Sequence, residues 1–453
     1  MLRSYQLEDL NFLKDKHRCA LFNEPRTGKT PTAISWLKIR NCSNCLVICP
    51  ASAIPGWQHE LANWYNDLIV YTCIGTRLQK DKVITNFVTD IRPKALIISY
   101  DSLKTTKNRE GFVDILIKAH IEGAAVDEAH RVRGRTTATA KAVFRLTRHI
   151  PNVIAMTGTP AFGKPEDLYS ILHMLFPTQY TSYWNWVDEW CTVKEGFNPR
   201  EMKTFRIVEG IKKSKEKDLV TILNTFSTIR KRKDVMPWLP DVTKLQVKLP
   251  LTKKQTFCLT ELDKWFKVED VVTQGVLDRL IRYRQICDSP ELLDLDVKSP
   301  KTDWIKQYLK DYPEESVLVF SSFTEYLKLL QRDIPEAEMI IGATPIKQRG
   351  EICSRFQAGK TKILLINIQA GREALTLDRA DVTIFTDKYP PIGAIEQAEA
   401  RFLATTEQQA HRGHKIVELM MADSYDEEIY KMLGNRAREV DIINNYNKYI
   451  ERS

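Results

Sequence analysis

Short apolar runs alternate with longer amphipathic segments along two stretches of the chain. The first stretch contains the runs 19–22, 45–50, 94–100, 123–130 and 152–160, and the second contains 316–323, 339–344, 362–367 and 381–387. Strands that are apolar throughout and separated by helices are typical of parallel sheets covered on both faces. The pattern therefore predicts an α/β fold with two successive parallel-sheet units.

Residues of about 178–250 interrupt this alternation and are rich in aromatic and basic side chains. The aromatic residues are Tyr180, Tyr183, Trp184, Trp186, Trp190 and Phe197, and the basic ones are Lys212, Lys213, Lys215, Lys217 and Arg230 to Lys233. We therefore predict a first lobe at 1–178, an accessory region at 179–250 and a second lobe at 251–453. A nucleotide bound to the first lobe is expected to face the second lobe across a cleft that opens and closes.

The sequence EPRTGKT (24–30) lies between the apolar run 19–22 and a helical segment at 31–39. This strand–loop–helix order is typical of a phosphate-binding site, where backbone N–H groups and a helix N-terminus bind the phosphates. In that arrangement Lys29 reaches the outer phosphates, and the hydroxyl of Thr30 holds Mg²⁺.

The rest of the loop fits this site with one departure. Gly28 permits a close approach of the backbone to the ligand, and Arg26 and Thr27 complete the predicted nucleotide-binding segment. Glu24 stands where the usual pattern has its first glycine. Taken alone, the segment therefore also fits a plain strand–turn–helix with a surface lysine.

A second motif, VDEAH (126–130), favours the nucleotide interpretation. The apolar residues 124–126 bring Asp127 and Glu128 to the end of a buried strand. One carboxylate can position Mg²⁺ and the next can orient an attacking water. Such a pair is commonly a solvated turn, but together with the phosphate loop it predicts hydrolysis of a nucleoside triphosphate.

The composition of the chain limits which partners and which cellular location we expect. The net charge of +9 and the pI of about 8.9 favour a polyanionic partner. The sequence has neither an apolar stretch near the roughly 18 residues of a membrane span nor an N-terminal signal region, so we expect a cytoplasmic protein without membrane contact. Cys42 and Cys45 form the only close cysteine pair, and we interpret them as reduced thiols rather than a metal site.

The order of the motifs resembles the superfamily-2 helicases, specifically the Swi/Snf-type translocases, in a compact form similar to phage-encoded members. The matching strings are LRSYQ (2–6), CPASAIPGWQHE (49–60), ISYDSL (98–103), MTGTP (156–160), RKRKDVMPWLP (230–240), RYRQICDSP (282–290), VLVFSSFTEYL (317–327), IIGATPIKQR (340–349) and LLINIQAGREALTLDRADVTIF (364–385). The resemblance covers nearly the whole chain. It implies two RecA-like lobes, ATP and Mg²⁺ as cofactors, and DNA as partner, in the cytoplasm of a bacterial host if the gene is phage-encoded.

The resemblance also assigns roles to individual residues. Gln6 is implied as the adenine reader, with Tyr5 as a stacking partner. The residues implied to contact DNA are Pro50, Trp57, Ser99, Thr157, Gly158, Thr159, Arg230, Lys231, Arg232, Ser321 and Gly342. Small donors at strand ends position a nucleic-acid backbone without reading its sequence. The 157–159 segment also fits a relay of the state of Glu128, or a plain turn.

The last motif departs from the family pattern. The segment 397–408 keeps Gln397 and Arg401 but has Ala400 and Ala404 in place of an aspartate and a second arginine. We assign Arg401 the role of the arginine finger, whose removal costs roughly 10³- to 10⁵-fold in rate in phosphoryl transfer.

Three interpretations of this departure stay open. Arg401 acts alone, Arg372 or Arg412 substitutes for the missing arginine, or the alanines were introduced to disarm the enzyme. In the preceding motif, Ala374 replaces a usual glycine, and Glu373 is a candidate nucleotide or interdomain contact.

Residues 191–209 form two strand-like runs around the turn signal GFNP, which predicts a hairpin. Phe197 at its tip could wedge between base pairs or stack on an exposed base. An ordinary surface hairpin whose Phe197 packs on Trp190 fits equally well. Nearby basic residues would add salt-dependent phosphate contacts, although 212–217 fits a solvated helix face slightly better.

We therefore predict a monomeric, ATP-dependent DNA translocase that remodels double-stranded or branched DNA. Branch migration or fork reversal in replication, recombination or repair is the expected use, without sequence-specific recognition. Two alternatives are an RNA-directed helicase of the same superfamily and a nucleotide-gated DNA clamp with impaired hydrolysis. Ala400 and Ala404 suggest the clamp.

Overall fold

A computed structural model describes residues 1–104, 111–161, 164–198, 202–238, 242–265, 267–268, 271–272, 276–371, 377–387 and 413–431. The chain divides into two compact units, with the boundary between Pro237 and Trp238. None of the helices within these ranges is both long enough and apolar enough to cross a membrane.

The first unit is built on a parallel sheet. Its strands are β1 (Arg18–Leu21), β2 (Asn44–Cys49), β3 (Ile69–Cys73), β4 (Lys94–Ser99), β5 (Gly123–Asp127), β6 (Asn152–Met156), β7 (Cys191–Asn198), β8 (Lys203–Ile211) and β9 (Ser227–Thr228). Among the described residues, seven of them pair in the order β3-β4-β2-β5-β6-β1-β9, every pair parallel, and β7 and β8 form a separate antiparallel hairpin.

Helices cover both faces of this sheet. They are α1 (Ser4–Leu13), α2 (Lys29–Ile39), α3 (Ile54–Trp64), α4 (Arg77–Thr89), α5 (Phe112–Ile117), α6 (Ala138–Thr147), α7 (Asp167–Leu175), α8 (Tyr183–Trp190), α9 (Glu216–Phe226) and α10 (Arg232–Val235). Alternate residues of β2 enter different apolar clusters, Leu46 and Ile48 one cluster and Cys45 and Val47 the other. Burial on both faces explains why the strand is apolar throughout.

The second unit contains a parallel sheet of its own. Its strands are β10 (Val242–Leu249), β11 (Lys267–Val268), β12 (Val271–Val272), β13 (Val317–Ser321), β14 (Glu338–Ile340), β15 (Ile363–Asn367), β16 (Val382–Phe385) and β17 (His414–Met421), and its helices are α11 (Lys253–Trp265), α12 (Val276–Asp288), α13 (Pro300–Asp311), α14 (Thr324–Asp333), α15 (Ile346–Gln357) and α16 (Ile368–Gly371). In the described part of this unit the sheet order is β10-β17-β16-β13-β15-β14.

The predicted fold class, two successive parallel-sheet units, is confirmed. The apolar runs of both stretches form strands, whereas β3, β9, β10, β11, β12 and β17 were not predicted. β3, β9 and β10 lie at sheet edges, where one side of the strand has no neighbour and the pattern is less apolar. β10 is partly exposed along its whole length.

The structure divides the predicted accessory region, 179–250, between the two units. Tyr183 and Trp186 pack against Tyr169 of the first core, with ring centroids 5.3 and 6.0 Å apart. β9 extends the first sheet, and β10 pairs along its whole length with β17 of the second. The aromatic side chains that suggested a separate region are therefore largely core residues of the first unit.

Candidate nucleotide site and nucleic-acid interface

The carboxyl ends of β1, β6 and β5 bring the main sequence motifs to one edge of the first sheet. Leu21 pairs with Met156, and Met156 pairs with Asp127. The phosphate loop, the 157–159 segment and the Asp127–Glu128 pair therefore leave the sheet side by side. Ligands bind at this edge in open parallel sheets.

The phosphate loop has the backbone geometry that its sequence predicts. Gly28 has a φ of +76°, and a Cβ there would lie 2.1 Å from Nε2 of Gln6, so that only glycine fits without displacing a neighbour. α2 begins at Lys29, and Nζ of Lys29 donates to the carbonyls of Asn23 at 2.8 Å and Glu24 at 3.1 Å. The ammonium thus lies across the loop, close to where phosphates would be bound.

The N-terminal helix α1 holds the loop from the other side. The hydroxyl of Tyr5 donates to the carbonyl of Thr27 at 3.0 Å, and Nε2 of Gln6 donates to the carbonyls of Thr27 and Gly28 at 3.3 and 3.0 Å. Both side chains are buried. The structure therefore brings the predicted base-reading residues directly onto the phosphate loop.

Glu24, the departure from the usual loop pattern, has a structural role. Its Oε2 accepts a hydrogen bond from the backbone N–H of Arg232 at 2.8 Å, and its own N–H donates to the carbonyl of Arg230 at 2.9 Å. The segment after β9 is thereby tied to the phosphate loop. A glycine at position 24 could not make the side-chain contact.

Arg230 and Arg232 both lie next to acidic side chains of the first unit. Nε of Arg230 donates to Oδ1 of the buried Asp9 at 2.8 Å, and its Nη2 lies 3.1 Å from Glu8. Arg232 is 5% exposed beside Glu24. The role of these arginines in binding DNA phosphates stays a prediction, and the structure adds that each of them contacts an acidic residue of the first unit. Lys231 is half-buried between them.

Asp127 and Glu128 lie at the end of β5, as predicted. Oδ1 of Asp127 accepts the N–H of Glu128 at 2.9 Å, and Oδ2 accepts the indole N–H of Trp57, also at 2.9 Å. Glu128 has φ 50° and ψ 50°, a left-handed conformation that is uncommon for a side-chain-bearing residue. Residues held in such conformations are concentrated at functional sites.

His130 connects Glu128 to the 157–159 segment. Its Nδ1 lies 3.0 Å from Oγ1 of Thr157 and 3.4 Å from Oε2 of Glu128. Thr157 is fully buried, and its hydroxyl also accepts the N–H of Thr159 at 3.1 Å. Of the three interpretations of this segment, the geometry favours the relay of the state of Glu128 over phosphodiester contact by the Thr157 hydroxyl.

Gly158 packs against the phosphate loop. A Cβ at Gly158 would lie 2.7 Å from Cδ of Pro25 and 3.3 Å from its backbone nitrogen. The segment therefore touches both the loop and His130. A movement of the phosphate loop can therefore be transmitted through the 157–159 segment to His130.

The remaining predicted DNA contacts differ in exposure. The side chains of Trp57, Ser99, Thr159 and Ser321 are buried, Pro50 is half-buried, and Gly342 is exposed. Oγ of Ser99 lies 2.9 Å from Oγ of Ser102. A buried side chain does not reach a bound nucleic acid itself, so these roles stay predictions for the segments rather than for the side chains.

A buried network at the carboxyl edge of the second sheet was not predicted from the sequence. Oγ of Ser321 donates to Oδ1 of Asp387 at 3.2 Å, and the N–H of Ser322 donates to the same oxygen at 2.7 Å. Nη2 of Arg284 donates to Oδ2 at 2.5 Å. Burial acts to raise the pKa of Asp387, but Arg284 and Ser322 outweigh it and hold the pKa below its usual value.

The hairpin is present, with its turn placed differently from the prediction. β7 continues through Gly196 and Phe197 to Asn198, so the GFNP signal lies partly in the strand. Phe197 pairs with Thr204 and is 55% exposed. Trp190 is buried in the first core. The exposed ring favours the interpretation that Phe197 is available to a partner.

Several predicted residues lie outside the described residues. They are Arg401, Glu373, Arg372, Arg412, Gln397, Ala374, Ala400 and Ala404.

Cys42 and Cys45 are both buried free thiols, and burial raises the pKa of Cys42 to about 11. Within the described ranges, no cluster of three or more His, Cys, Asp or Glu side chains could hold a metal ion. A Mg²⁺ ion held by Thr30, Asp127 and phosphate oxygens needs no such cluster.

Comparison with known proteins gives matches over most of the chain. A family model described as the SNF2-related domain matches residues 5–292, and one described as the helicase conserved C-terminal domain matches residues 300–414. The DNA annealing helicase and endonuclease ZRANB3 of Mus musculus is 24% identical over 421 residues, which are 88% of this chain and 37% of that protein. The chromodomain-helicase-DNA-binding protein 1-like of Danio rerio is 24% identical over 479 residues, 98% of this chain and 44% of that protein.

The chain thus spans less than half the length of these two curated relatives. Among solved structures, the Sulfolobus solfataricus SWI2/SNF2 ATPase core in complex with dsDNA is 23% identical, with a TM-score of 0.43. That match covers 99% of this chain and 94% of the archaeal one.

Proposed function

Because the chain belongs to the SNF2-related family of superfamily-2 helicases, we propose that it is a DNA-dependent ATPase that moves along double-stranded DNA. One observation carries the proposal. The phosphate loop, the Asp127–Glu128 pair and the segments matching the family's nucleic-acid motifs meet at one sheet edge. Trp57 donates to Asp127, the backbone N–H of Arg232 donates to Glu24, and Gly158 packs on Pro25, so nucleotide and nucleic acid can influence each other there.

The chain's own residues supply the parts that phosphoryl transfer needs. When bound, Mg²⁺-ATP supplies the phosphoanhydride bond whose cleavage drives the cycle. Lys29 and the first turn of α2 would bind the outer phosphates, while Thr30 and Asp127 would hold the metal ion. Glu128 orients the attacking water. Its left-handed backbone and the neighbouring His130 fix the direction of its carboxylate.

The nucleotide site is completed by residues assigned from the family resemblance. Arg401 is proposed as the arginine finger that stabilises charge in the transition state. Glu373 is proposed as a further nucleotide or interdomain contact. Both assignments rest on the motif order, since neither residue lies in the described part of the chain.

We propose DNA as the polymer for two reasons. The net charge of +9 favours a polyanion. The names of the two curated relatives refer to DNA. Binding is expected to be independent of sequence, because contacts from strand ends and backbone amides reach phosphates rather than base edges.

A finer proposal is that the enzyme acts at branched DNA, in branch migration or fork reversal. The hairpin supports it, since Phe197 presents an exposed ring close to the end of two paired strands. Aromatic side chains that insert or stack on bases can keep strands apart. A monomeric state, a cytoplasmic location in a bacterial host and phage origin are proposals too, supported by composition and by the compact motif order.

The test is ATP hydrolysis by the intact chain without nucleic acid and with single-stranded DNA, linear duplex, a synthetic four-way junction or RNA. We expect duplex DNA to stimulate turnover, the junction to stimulate it most, and Lys29→Ala to lose about 10²-fold or more of it. Greater stimulation by RNA would favour an RNA-directed helicase. ATP-dependent DNA binding without turnover would favour a nucleotide-gated clamp, and restoring aspartate and arginine at 400 and 404 would then be informative.

A further inference from the structure

Two side chains from outside the Asp127–Glu128 pair hold Asp127. The indole N–H of Trp57, on α3, donates to Oδ2 at 2.9 Å. The hydroxyl of Tyr100, which follows β4, donates to the backbone carbonyl of Asp127 at 2.5 Å. Both donors belong to segments that the sequence assigns to nucleic-acid contact.

The two donor side chains, Trp57 and Tyr100, are buried. Trp57 and Tyr100 are each 2% exposed, so neither side chain can reach DNA directly. A buried indole N–H without an acceptor is unfavourable, which favours keeping the bond to the carboxylate. Oδ1 of Asp127 accepts the N–H of Glu128. Each carboxylate oxygen thus receives a fixed donor, and the plane of the carboxylate is set.

We propose that Trp57 is a positioning residue that aims the Asp127 carboxylate at the metal ion of the nucleotide. This inference rests on the proposed function, because it takes Asp127 as a Mg²⁺ ligand. Hydrogen-bonding partners behind a metal ligand orient it, and losing one typically costs about 10- to 100-fold in metal affinity or activity.

The position of α3 also couples the hydrogen bond between Trp57 and Asp127 to the segment that carries Pro50. The segment that carries Pro50 leads through one 3₁₀ turn, Ala51–Ala53, into α3, so Trp57 lies one turn into the helix. A shift of the segment 50–53 on DNA moves α3, and a single hydrogen bond transmits that movement to the metal ligand. Trp57 therefore acts on the nucleotide site rather than as a DNA contact.

The chain offers a matched pair of variants. Trp57→Phe keeps an aromatic ring in the core and removes only the N–H donor and part of the ring. Trp36→Phe makes the same change at another fully buried tryptophan of the same unit, whose indole N–H donates to the carbonyl of Leu13 at 2.9 Å. Binding of a fluorescent ADP analogue is measured at equilibrium over a range of Mg²⁺ concentrations.

We expect Trp57→Phe to raise the Mg²⁺ concentration at half-saturation about tenfold, with Trp36→Phe at the wild-type value. Equal behaviour of the two variants overturns the inference. If Trp57→Phe does not fold, 5-fluorotryptophan is incorporated at position 57 or 36 of the otherwise natural chain. The ¹⁹F signal at 57 should then shift on addition of Mg²⁺ and nucleotide while the signal at 36 does not, and an unmoved signal at 57 overturns the inference.

The two proposals fail in different ways. A wild-type chain that neither binds Mg²⁺-nucleotide nor hydrolyses ATP contradicts the proposed function. A wild-type chain that does both, but whose Trp57→Phe variant matches Trp36→Phe, contradicts the role of Trp57 alone.

Discussion

Charged side chains next to the phosphate loop are paired with one another in the first unit. Asp9 is completely buried, with Oδ1 accepting from Arg230 at 2.8 Å and Oδ2 accepting from Asn23 at 2.7 Å. Burial raises the pKa of Asp9, although Asn23 and Arg230 act in the opposite direction. The carbonyl of Asn23 in turn accepts from Lys29. Three contacts, by way of Asp9 and Asn23, thus join Arg230 to Lys29, the lysine that is predicted to bind phosphates.

This placement predicts the behaviour of Arg230→Ala. The substitution removes one hydrogen-bond partner of a buried carboxylate, so we expect the first unit to lose about 1–3 kcal/mol of stability and nucleotide affinity to fall. The salt dependence of DNA binding should stay as in the wild type. Thermal unfolding, nucleotide titration and DNA titration at several salt concentrations measure the three quantities.

Arg148→Ala, a change at an exposed arginine after α6, provides the control and should leave all three values unchanged. An arginine that contacts a DNA phosphate changes the slope of log K against log salt by about one. Such a change in the slope for Arg230→Ala, with normal nucleotide binding, would restore Arg230 to the DNA interface.

At the scale of elements, contacts with α8 attach the hairpin of β7 and β8 to the first unit. Gly196 pairs with Phe205, and a Cβ at Gly196 would lie 2.7 Å from Cζ of that ring, so the ring rests on the bare backbone. Arg206 forms an ion pair with Asp188 and lies 4.6 Å above the ring of Trp184. These contacts attach the hairpin to α8 and leave several apolar side chains exposed.

The hairpin proposal predicts that Phe197→Ala impairs conversion of four-way junctions while duplex-stimulated ATP hydrolysis persists. Base–aromatic stacking is worth about 1–3 kcal/mol per base, so junction conversion should fall about 5- to 150-fold. Phe257→Ala is a suitable control, because Phe257 on α11 is 54% exposed, close to the 55% of Phe197. Junction conversion that is equal in both variants would identify an ordinary surface hairpin.

Element prediction succeeded for most strands that are buried on both faces. Three of the four strands that it missed in the two parallel sheets, β3, β9 and β10, lie at sheet edges. β2, β4, β5 and β13 are apolar at nearly every position, which marks them in the sequence. β10 has an alternating, largely exposed pattern, and only its pairing with β17 makes it part of the second sheet. Such pairing joins residues far apart in the chain, and a local pattern does not encode it.

At the scale of the whole chain, each unit has its own core, and a buried ionic network lies within the second unit. Nζ of Lys301, completely buried, donates to Asp288 at 2.8 Å, to Asp426 at 2.7 Å and to the carbonyl of Thr386 at 2.6 Å. The aspartates hold the pKa of Lys301 well above its usual value against the effect of burial. The network ties together segments that are distant in sequence.

We therefore expect Lys301→Met to destabilise the second unit by about 3–5 kcal/mol, because two buried carboxylates lose their common cation. Urea unfolding followed by a probe in the second unit measures the change. Lys310→Met, at an exposed position of the same helix, should change the stability by less than about 1 kcal/mol. A stable Lys301→Met variant would show that the two carboxylates are accommodated without the lysine.

The amino-acid sequence by itself determined the two parallel-sheet units, the phosphate loop and the Asp127–Glu128 pair. These features depend on local order: an apolar run long enough for a buried strand, followed at once by the residues that a phosphate or metal site requires. The same motif order indicated the SNF2-related family, to which the chain belongs.

Only the tertiary structure decided what the side chains near those motifs do. Arg230 and Trp57 were predicted as DNA contacts, and the structure shows Arg230 as a partner of Asp9 and Trp57 as a donor to Asp127. Glu24 became a link to the segment after β9. In each case the partner lies 70 or more residues away in the chain. Burial and hydrogen-bond pairing over such separations arise only when the sheet is assembled. The sequence does not reveal them, because a basic or aromatic residue looks the same there whether it faces solvent or a buried carboxylate.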